Sequence, residues 1–320
     1  MTTTGTTLRK RRTSAPATPA VTGPPRGPHL RNGQPPPHPV MRVLKGLVVA
    51  VICFLVVMPF VGIVSTSVAP RSQVTEAGGF VFWPESVDLT SYQAILSGGV
   101  VSRSLQVSIF VTVVGTFLAL TASALLAYAL SRPGMPFRGF ALGLVLLTLL
   151  FHPGMIPMYL TVKGFGLLDT VWALIVPTMI SGFNVIVMRA FFMGVPTELT
   201  DAARIDGASE WQIFVRVMLP LSKAVLAVIG LFYAVAYWNS FFSALLYIRD
   251  PSLWPLQLVL RTYVVNNTSL AHGDLNVDAL PPQQSIQMAV LVIAIVPILL
   301  VYPFLQRHFA KGVLTGAVKG

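Results

Sequence analysis

Apolar residues gather into six runs along the chain: Gly46 to Val68, about Leu105 to Leu130, Gly139 to Tyr159, Leu168 to Met188, Ala224 to Tyr247 and Ser285 to Pro303. Each is close to the ~20 residues that carry a helix across ~30 Å of hydrocarbon. The pattern predicts an all-α membrane protein, with residues 41–320 forming a domain of six transmembrane helices. The first run loosely resembles a secretory signal, because Ser67-Val68-Ala69 fits a small-x-small cleavage site. Its length, the following Pro70 and the runs downstream favour an uncleaved first helix.

Away from their ends the runs hold no Asp, Glu, Lys or Arg, Asp169 standing one place inside the fourth. Ion relays and voltage sensors need ionisable groups at membrane depth, so the energy for any transport is expected from elsewhere. The polar residues inside the runs are neutral: His152 beside Pro153 and Pro157, Asn184 beside Ser181 and Gly182, and Asn239 in Tyr237-Trp238-Asn239-Ser240. Each fits either a ligand in a wet pathway or a bond to a neighbouring helix. The second reading is preferred for His152 and Asn184. For Tyr237, Trp238 and Asn239 the two stand level, since an amide flanked by aromatic rings suits the hydroxyl edges and C–H faces of a sugar.

Composition agrees with a membrane chain: 10% of residues are charged, 54% are hydrophobic and the mean hydropathy is +0.73, against roughly 25% charged in soluble domains. The net charge of +11 would fit nucleic acid, but its distribution points to topology instead. Residues 1–40 hold nine of the 25 prolines and six basic residues without an acid; with little apolar surface to offset ordering entropy, they are expected to form a disordered cytoplasmic tail. Placing both termini and the loops at 132–138 and 189–223 on one side collects 17 of the 22 Lys and Arg there, leaving five for the other. Retention of positive charge makes the richer side cytoplasmic, with segments 69–103 and 248–284 facing outward. No nucleic-acid partner is expected. The single Cys53 excludes an intrachain disulfide.

One cytoplasmic connection, about 193–223, differs from the others. It carries Glu198, Asp201, Asp206 and Glu210, four of the 11 acids. Capping signals divide it into two short helices: Glu198 and Asp201 lie towards the start of the first, Gly207 ends it, and Ser209 with Gln212 opens the second as a capping box. Pro220 marks the join to the next span. A helix lying in the headgroup layer would present a basic face, whereas acids outnumber Arg204 here. A rigid elbow that docks a soluble partner is the better reading, with small Ala202 and Ala203 beside Leu199 and Ile205 allowing close approach.

Asp201-Ala202-Ala203, Gly207 three residues after Arg204, and Leu219-Pro220, placed between the fourth and fifth runs, resemble the EAA loop of ABC importer permeases, with Asp for the usual Glu. The resemblance extends over most of residues 41–320 and is nearest to the maltose-type carbohydrate permeases. The ending Gly312-Val313-Leu314-Thr315-Gly316 is similar to that of MalG-like subunits, and Asp250-Pro251-Ser252-Leu253-Trp254-Pro255 to the subgroup importing oligosaccharides. It implies a type I ABC importer permease fold with a coupling helix seated in a cytoplasmic ATPase. Matched by position, Asp201 would be the charged contact, Ala202 and Ala203 the close-packing surface and Gly207 the turn, with Glu198, Asp206 and Pro220 completing the coupling set. Asp201 reaches about 1.5 Å less far than Glu.

The implied assembly has a second homologous permease, a cytoplasmic ABC ATPase dimer, an extracytoplasmic solute-binding protein, a carbohydrate substrate and membrane lipid. The chain lacks the G-x-x-x-x-G-K-[ST] phosphate cradle, so no cofactor is expected on it, ATP and Mg belonging to the partner ATPase; it is a transport subunit and not an enzyme. The alternative, an ion- or proton-coupled secondary transporter, expects ionisable residues at mid-membrane and repeated halves. A membrane enzyme would cluster its acids and histidines near one interface, yet His29, His38, His152, His272 and His308 are scattered. Asn267 fits a glycosylation sequon, for which an ordinary polar loop is the preferred reading.

Overall fold

The computed structural model describes residues 39–97, 99–262 and 281–316. The tail up to residue 38, His272 and Asn267 lie outside the described residues. Chain contacts divide the molecule at Val56/Val57. The first unit, in its described part, is the beginning of helix α1 (Pro39–Val68), whose Val43, Leu47, Ile52 and Phe54 are exposed.

In the second unit, α1 continues to Val68, after which α2 (Arg71–Glu76) and α3 (Thr90–Leu96) lead to α4 (Val100–Ser131). Gly62 on α1 gives room to the Phe80 ring, and Thr66 both donates to and accepts from the Val81 backbone at 3.1 and 2.9 Å. Helices α5 (Arg138–Leu150), α6 (Met155–Gly164), α7 (Trp172–Ile175) and α8 (Gly182–Met193) follow. The chain then runs through α9 (Thr197–Ile205), α10 (Glu210–Ile213), a π-turn at Phe214–Met218 and α11 (Leu219–Leu221) to α12 (Lys223–Trp238). Helices α13 (Phe241–Tyr247), α14 (Leu256–Leu260) and α15 (Gln283–Gly316) complete the order, with no strand among the described residues.

The six apolar runs do not become six straight helices. Among the described residues three helices are long and apolar enough to cross a membrane: α1, α4 and the Gln283–Val301 part of α15; counting two bent pairs raises the number to five. The third run breaks between α5 and α6, where His152-Pro153-Gly154 cannot continue a helix: proline clashes with the preceding turn, and Gly154 sits at φ +85°. The fourth bends by 51° between Trp172–Thr178 and Gly182–Met193, with Ser181 capping the new helix. In the fifth, α12 stops at Trp238, and an 84° bend separates it from Glu210–Leu221. Asp169 is a turn residue at φ +59° whose carboxylate accepts the backbone N–H groups of Arg249 and Asp250, tying the segment after α13 to the start of the fourth run.

Helix α4 is the axis of packing, meeting α12 and α8 along its length. Its buried side includes Ser104, Ser108, Val111, Gly115, Ala119, Ser123 and Ala127, spaced by three or four residues and small at all but Val111. Small residues at that spacing let helix backbones approach closely in a membrane, where dispersion and interhelical hydrogen bonds replace the hydrophobic effect as the driving force. Gly115 has the Tyr237 ring 3.0 Å from where a Cβ would stand. Three polar bonds fix the crossings: Ser123 Oγ to the Tyr233 hydroxyl at 2.7 Å, Ser181 N–H donating to that hydroxyl at 3.0 Å, and Leu256 N–H donating to Ser108 Oγ at 2.7 Å.

Candidate functional site

The elbow is built as its capping residues dictate. Helix α9 starts after extended Pro196, with Glu198 in its first turn, and ends at Gly207, φ +80°. Gly207 N–H bonds Arg204 O at 3.0 Å while Ala208 N–H bonds Ala203 O at 2.9 Å, the paired closure that a left-handed residue permits. Ser209 Oγ then accepts Gln212 N–H and Gln212 Oε1 accepts Ser209 N–H, a complete capping box on α10. The second arm does not stop there: it continues through the π-turn to Leu221, placing Pro220 just before the 84° bend at buried Ser222. Pi-turns of this kind often mark functional positions.

Arg204 organises the charges. Its Nη1 donates to Asp201 Oδ1 at 2.9 Å, and its Nε and Nη2 fork onto Glu210 Oε1 at 3.0 and 2.8 Å. The other Glu210 oxygen accepts the Tyr128 hydroxyl from the end of α4 at 2.7 Å, while Arg132 Nε lies 3.8 Å away. Burial pushes the Glu210 carboxyl up, but the bonds from Tyr128 and Arg204 and the charges of Arg204 and Arg132 outweigh it and hold the group below its ordinary range. An exposed ion pair contributes only roughly 0–1 kcal/mol. Coherence therefore comes from the network and its half-buried Tyr128 contact, not from any single pair.

Outward from this network, Glu198, Asp201, Ala202, Asp206 and Gly207 are exposed, beside Ile205 at 87%, Trp211 at 62% and Leu199 at 45% exposure. Ala203 is different: it is half-buried against the chain's own core, whereas Ala202 is exposed. Asp201, expected to be a charged contact for a partner, already has Arg204 as an internal partner.

The four substrate-path candidates do not converge. Tyr237 is buried, with its hydroxyl donating to Ile175 O at 3.2 Å; Trp238 is buried, with its indole N–H donating to Ala294 O at 3.2 Å. Both serve helix–helix bonding. Asn239 is exposed and its Nδ2 donates to Val235 O one turn back, finishing α12. Asn184 is buried in the first turn of α8. An apolar cavity of about 210 Å³ borders Trp238 but none of the other three, its remaining walls including Thr112, Leu231 and Pro297. A polar cavity of about 580 Å³ lies at the opposite end of α4 from the elbow, lined by Ser102, Arg103, Gln106 and Ser252. No group of three or more His, Cys, Asp or Glu capable of holding a metal occurs among the described residues.

The family described as the binding-protein-dependent transport system inner membrane component matches residues 38–315. The chain belongs to this family. Among relatives of this inner membrane component, Protein LplC of Bacillus subtilis (strain 168) is 48% identical over 267 residues, covering 83% of this chain and 90% of LplC. The polygalacturonan/rhamnogalacturonan transport system permease protein YtcP of the same organism is 44% identical over 277 residues, 86% of this chain and 95% of YtcP. A chain in the crystal structure of a bacterial ABC transporter involved in the import of the acidic polysaccharide alginate superposes with a TM-score of 0.78 at 29% identity, covering 86% of this chain and all of that one. The resemblance carried by Asp201-Ala202-Ala203, Gly207 and Leu219-Pro220 is borne out: this inner membrane component is an ABC transporter permease, a multi-pass membrane protein.

Sequence reasoning missed the seat beneath the elbow: Tyr128 on α4, Arg132 just after its end, and Arg189 on α8, whose Nε caps Leu130 O at 3.0 Å. Tyr128 and Glu210 are 82 positions apart, a pairing that no local pattern signals.

Proposed function

We propose that the chain is one of two permease subunits in an ATP-driven importer of carbohydrate, with an oligosaccharide as cargo. In this reading six membrane passages, made by α1, α4, α5, the bent pair Trp172–Thr178 with Gly182–Met193, α12 and α15, put both termini and the elbow in the cytoplasm. An extracytoplasmic solute-binding protein delivers cargo to the face bearing Arg103 and Ser252. A cytoplasmic ATPase dimer binds ATP and Mg and grips the elbow. The carbohydrate assignment is supported by the names of YtcP and the alginate importer, and the oligosaccharide form of the cargo by that of the arabinooligosaccharides transport system permease protein AraQ, 30% identical over 286 residues.

The observation that carries the coupling role is the doubly capped elbow, which holds Leu199, Ala202, Ile205 and the acids of α9 on an exposed face while its base is bonded to α4. A rigid, protruding face with apolar anchors and an acidic rim is what a basic-rimmed protein groove accepts. Glu198, Asp201, Ala202, Asp206 and Gly207 form that contact, Asp201 exchanging Arg204 for a cation of the ATPase; Ala203 packs behind it, and Pro220 lies at the bend that ends the second arm. The energy input is linked to cargo reciprocally: loaded binding protein favours the outward-open state, and that state favours ATP-driven closure.

Co-expression with an ATPase, a second permease and a binding protein of the same importer should give ATP hydrolysis stimulated by polygalacturonate-derived oligosaccharides. Asp201→Lys, which sets a second cation against Arg204 and the ATPase groove, should abolish most of that stimulation. Full stimulation in the variant would remove Asp201 from the coupling contact.

A further inference from the structure

Glu210 lies outside the coupling set, yet its two carboxylate oxygens serve two different bodies. Oε1 holds Arg204 of the elbow, and Oε2 holds Tyr128, one turn from the end of the membrane-crossing α4. Tyr128 is itself clamped. The Arg132 guanidinium lies 4.4 Å above its ring, and the Phe214 and Phe192 rings stand 4.9 and 6.4 Å from it. Arg189 reaches from α8 to the carbonyl of Leu130, so the helix end that Glu210 grips is bonded to a second membrane helix as well.

The arrangement carries an unmet demand. Arg132 Nε and Nη2 are buried and make no hydrogen bond, although Nε stands at ion-pair distance, 3.8 Å, from Glu210 Oε2. Buried donors are almost always satisfied, and a guanidinium beside a carboxylate is a preformed fork for a bidentate bond at ~2.7–2.9 Å. An approach of about 1 Å would close that bond. Three donors, Arg204, Tyr128 and Arg132, therefore surround one carboxylate, and the present geometry satisfies two.

We infer that Glu210 is a positioning residue that ties the elbow to α4, Oε1 holding Arg204 and Oε2 holding Tyr128, so that a displacement of the elbow is carried to the end of α4, with Arg132 closing on Oε2 as the two approach. The role rests on the reading of the elbow as the ATPase contact.

Amide hydrogen exchange in the assembled transporter tests it, comparing residues 197–213 of the elbow with 126–131 of α4, without nucleotide and after trapping with ATP and vanadate. In the native complex both segments should change together. Glu210→Ala should leave the nucleotide-dependent change in the elbow but reduce that at 126–131 by at least ~5-fold. Tyr128→Phe, which removes one hydroxyl and keeps the ring, should do the same to a smaller extent, and Glu210→Gln, still able to accept from Tyr128 and Arg204, should fall between. Tyr128→Phe decides the matter if Glu210→Ala fails to assemble. A native-sized change at 126–131 in both variants would overturn the link. Neither segment responding in the native complex would instead overturn the ATPase-contact reading, and the coupling role with it.

Discussion

Gly182→Ala is the sharpest test of how tightly α8 packs on α5. A Cβ at this position would stand 2.7 Å from Thr148 Oγ1, 2.9 Å from the carbonyl oxygen of Val145 and 3.1 Å from Leu149 Cγ. Ordinary contact begins near 3.4 Å, so relief against Val145 alone requires α8 to retreat by about 0.5 Å. The carbonyl is helix backbone and cannot swing aside. Thr148 is held as well, its hydroxyl donating to that same carbonyl at 2.7 Å, so turning it away gives up a bond worth about 1 kcal/mol. Overpacking of this kind costs typically 1–3 kcal/mol. The variant should lose about 2 kcal/mol, a fall of about 4–8 °C in melting temperature for a domain of this size. Thermal denaturation of the purified chain in detergent, followed by loss of the monodisperse peak, measures it. Adding Thr148→Ala should restore part of the loss and not all, since Val145 O remains. Gly143→Ala, on α5 with open space around the new Cβ, should not fall and serves as the control. A Gly182→Ala protein melting within about 1 °C of the native chain, or a control falling as far, would refute the packing argument.

Tyr233→Phe strands the buried Ser123 hydroxyl and the Ser181 N–H together; it should cost about 1–2 kcal/mol, with partial recovery on adding Ser123→Ala, read as a double-mutant cycle of melting temperatures. Gly207→Ala meets open space but forces a Cβ into the left-handed region at φ +80°, so it should weaken the elbow by about 1–2 kcal/mol and speed tryptic cleavage after Arg204, with Gly207→Asn milder because asparagine tolerates that backbone.

How much was legible in the chain depends on how local each cause is. The elbow's punctuation was visible because Gly207 and the Ser209/Gln212 pair act within four residues, and both took the roles their chemistry dictates. Hydropathy located the apolar runs but not their breaks. His152-Pro153-Gly154 is apolar enough to sit within a run, yet its backbone cannot be helical. The uses of Tyr237 and Trp238 were not legible either, because each bonds a carbonyl more than 50 positions away. The four-residue spacing of small residues on α4 was present in the sequence, and only the neighbours α8 and α12 give it meaning.

That spacing sets an unusual rule for α4. Along its buried side hydroxyl-bearing Ser104, Ser108 and Ser123 share one row with Gly115, Ala119 and Ala127, Val111 being the larger side chain among them, so from Gly115 to Ala127 the helix is less selective about polarity than about size. Exchanges between serine, alanine and glycine should be absorbed wherever no specific bond is lost, whereas a leucine, more apolar and on a hydropathy scale better suited to the membrane, would wedge the bundle apart. In this part of the molecule volume, and not solubility in lipid, is the quantity that determines which residues fit.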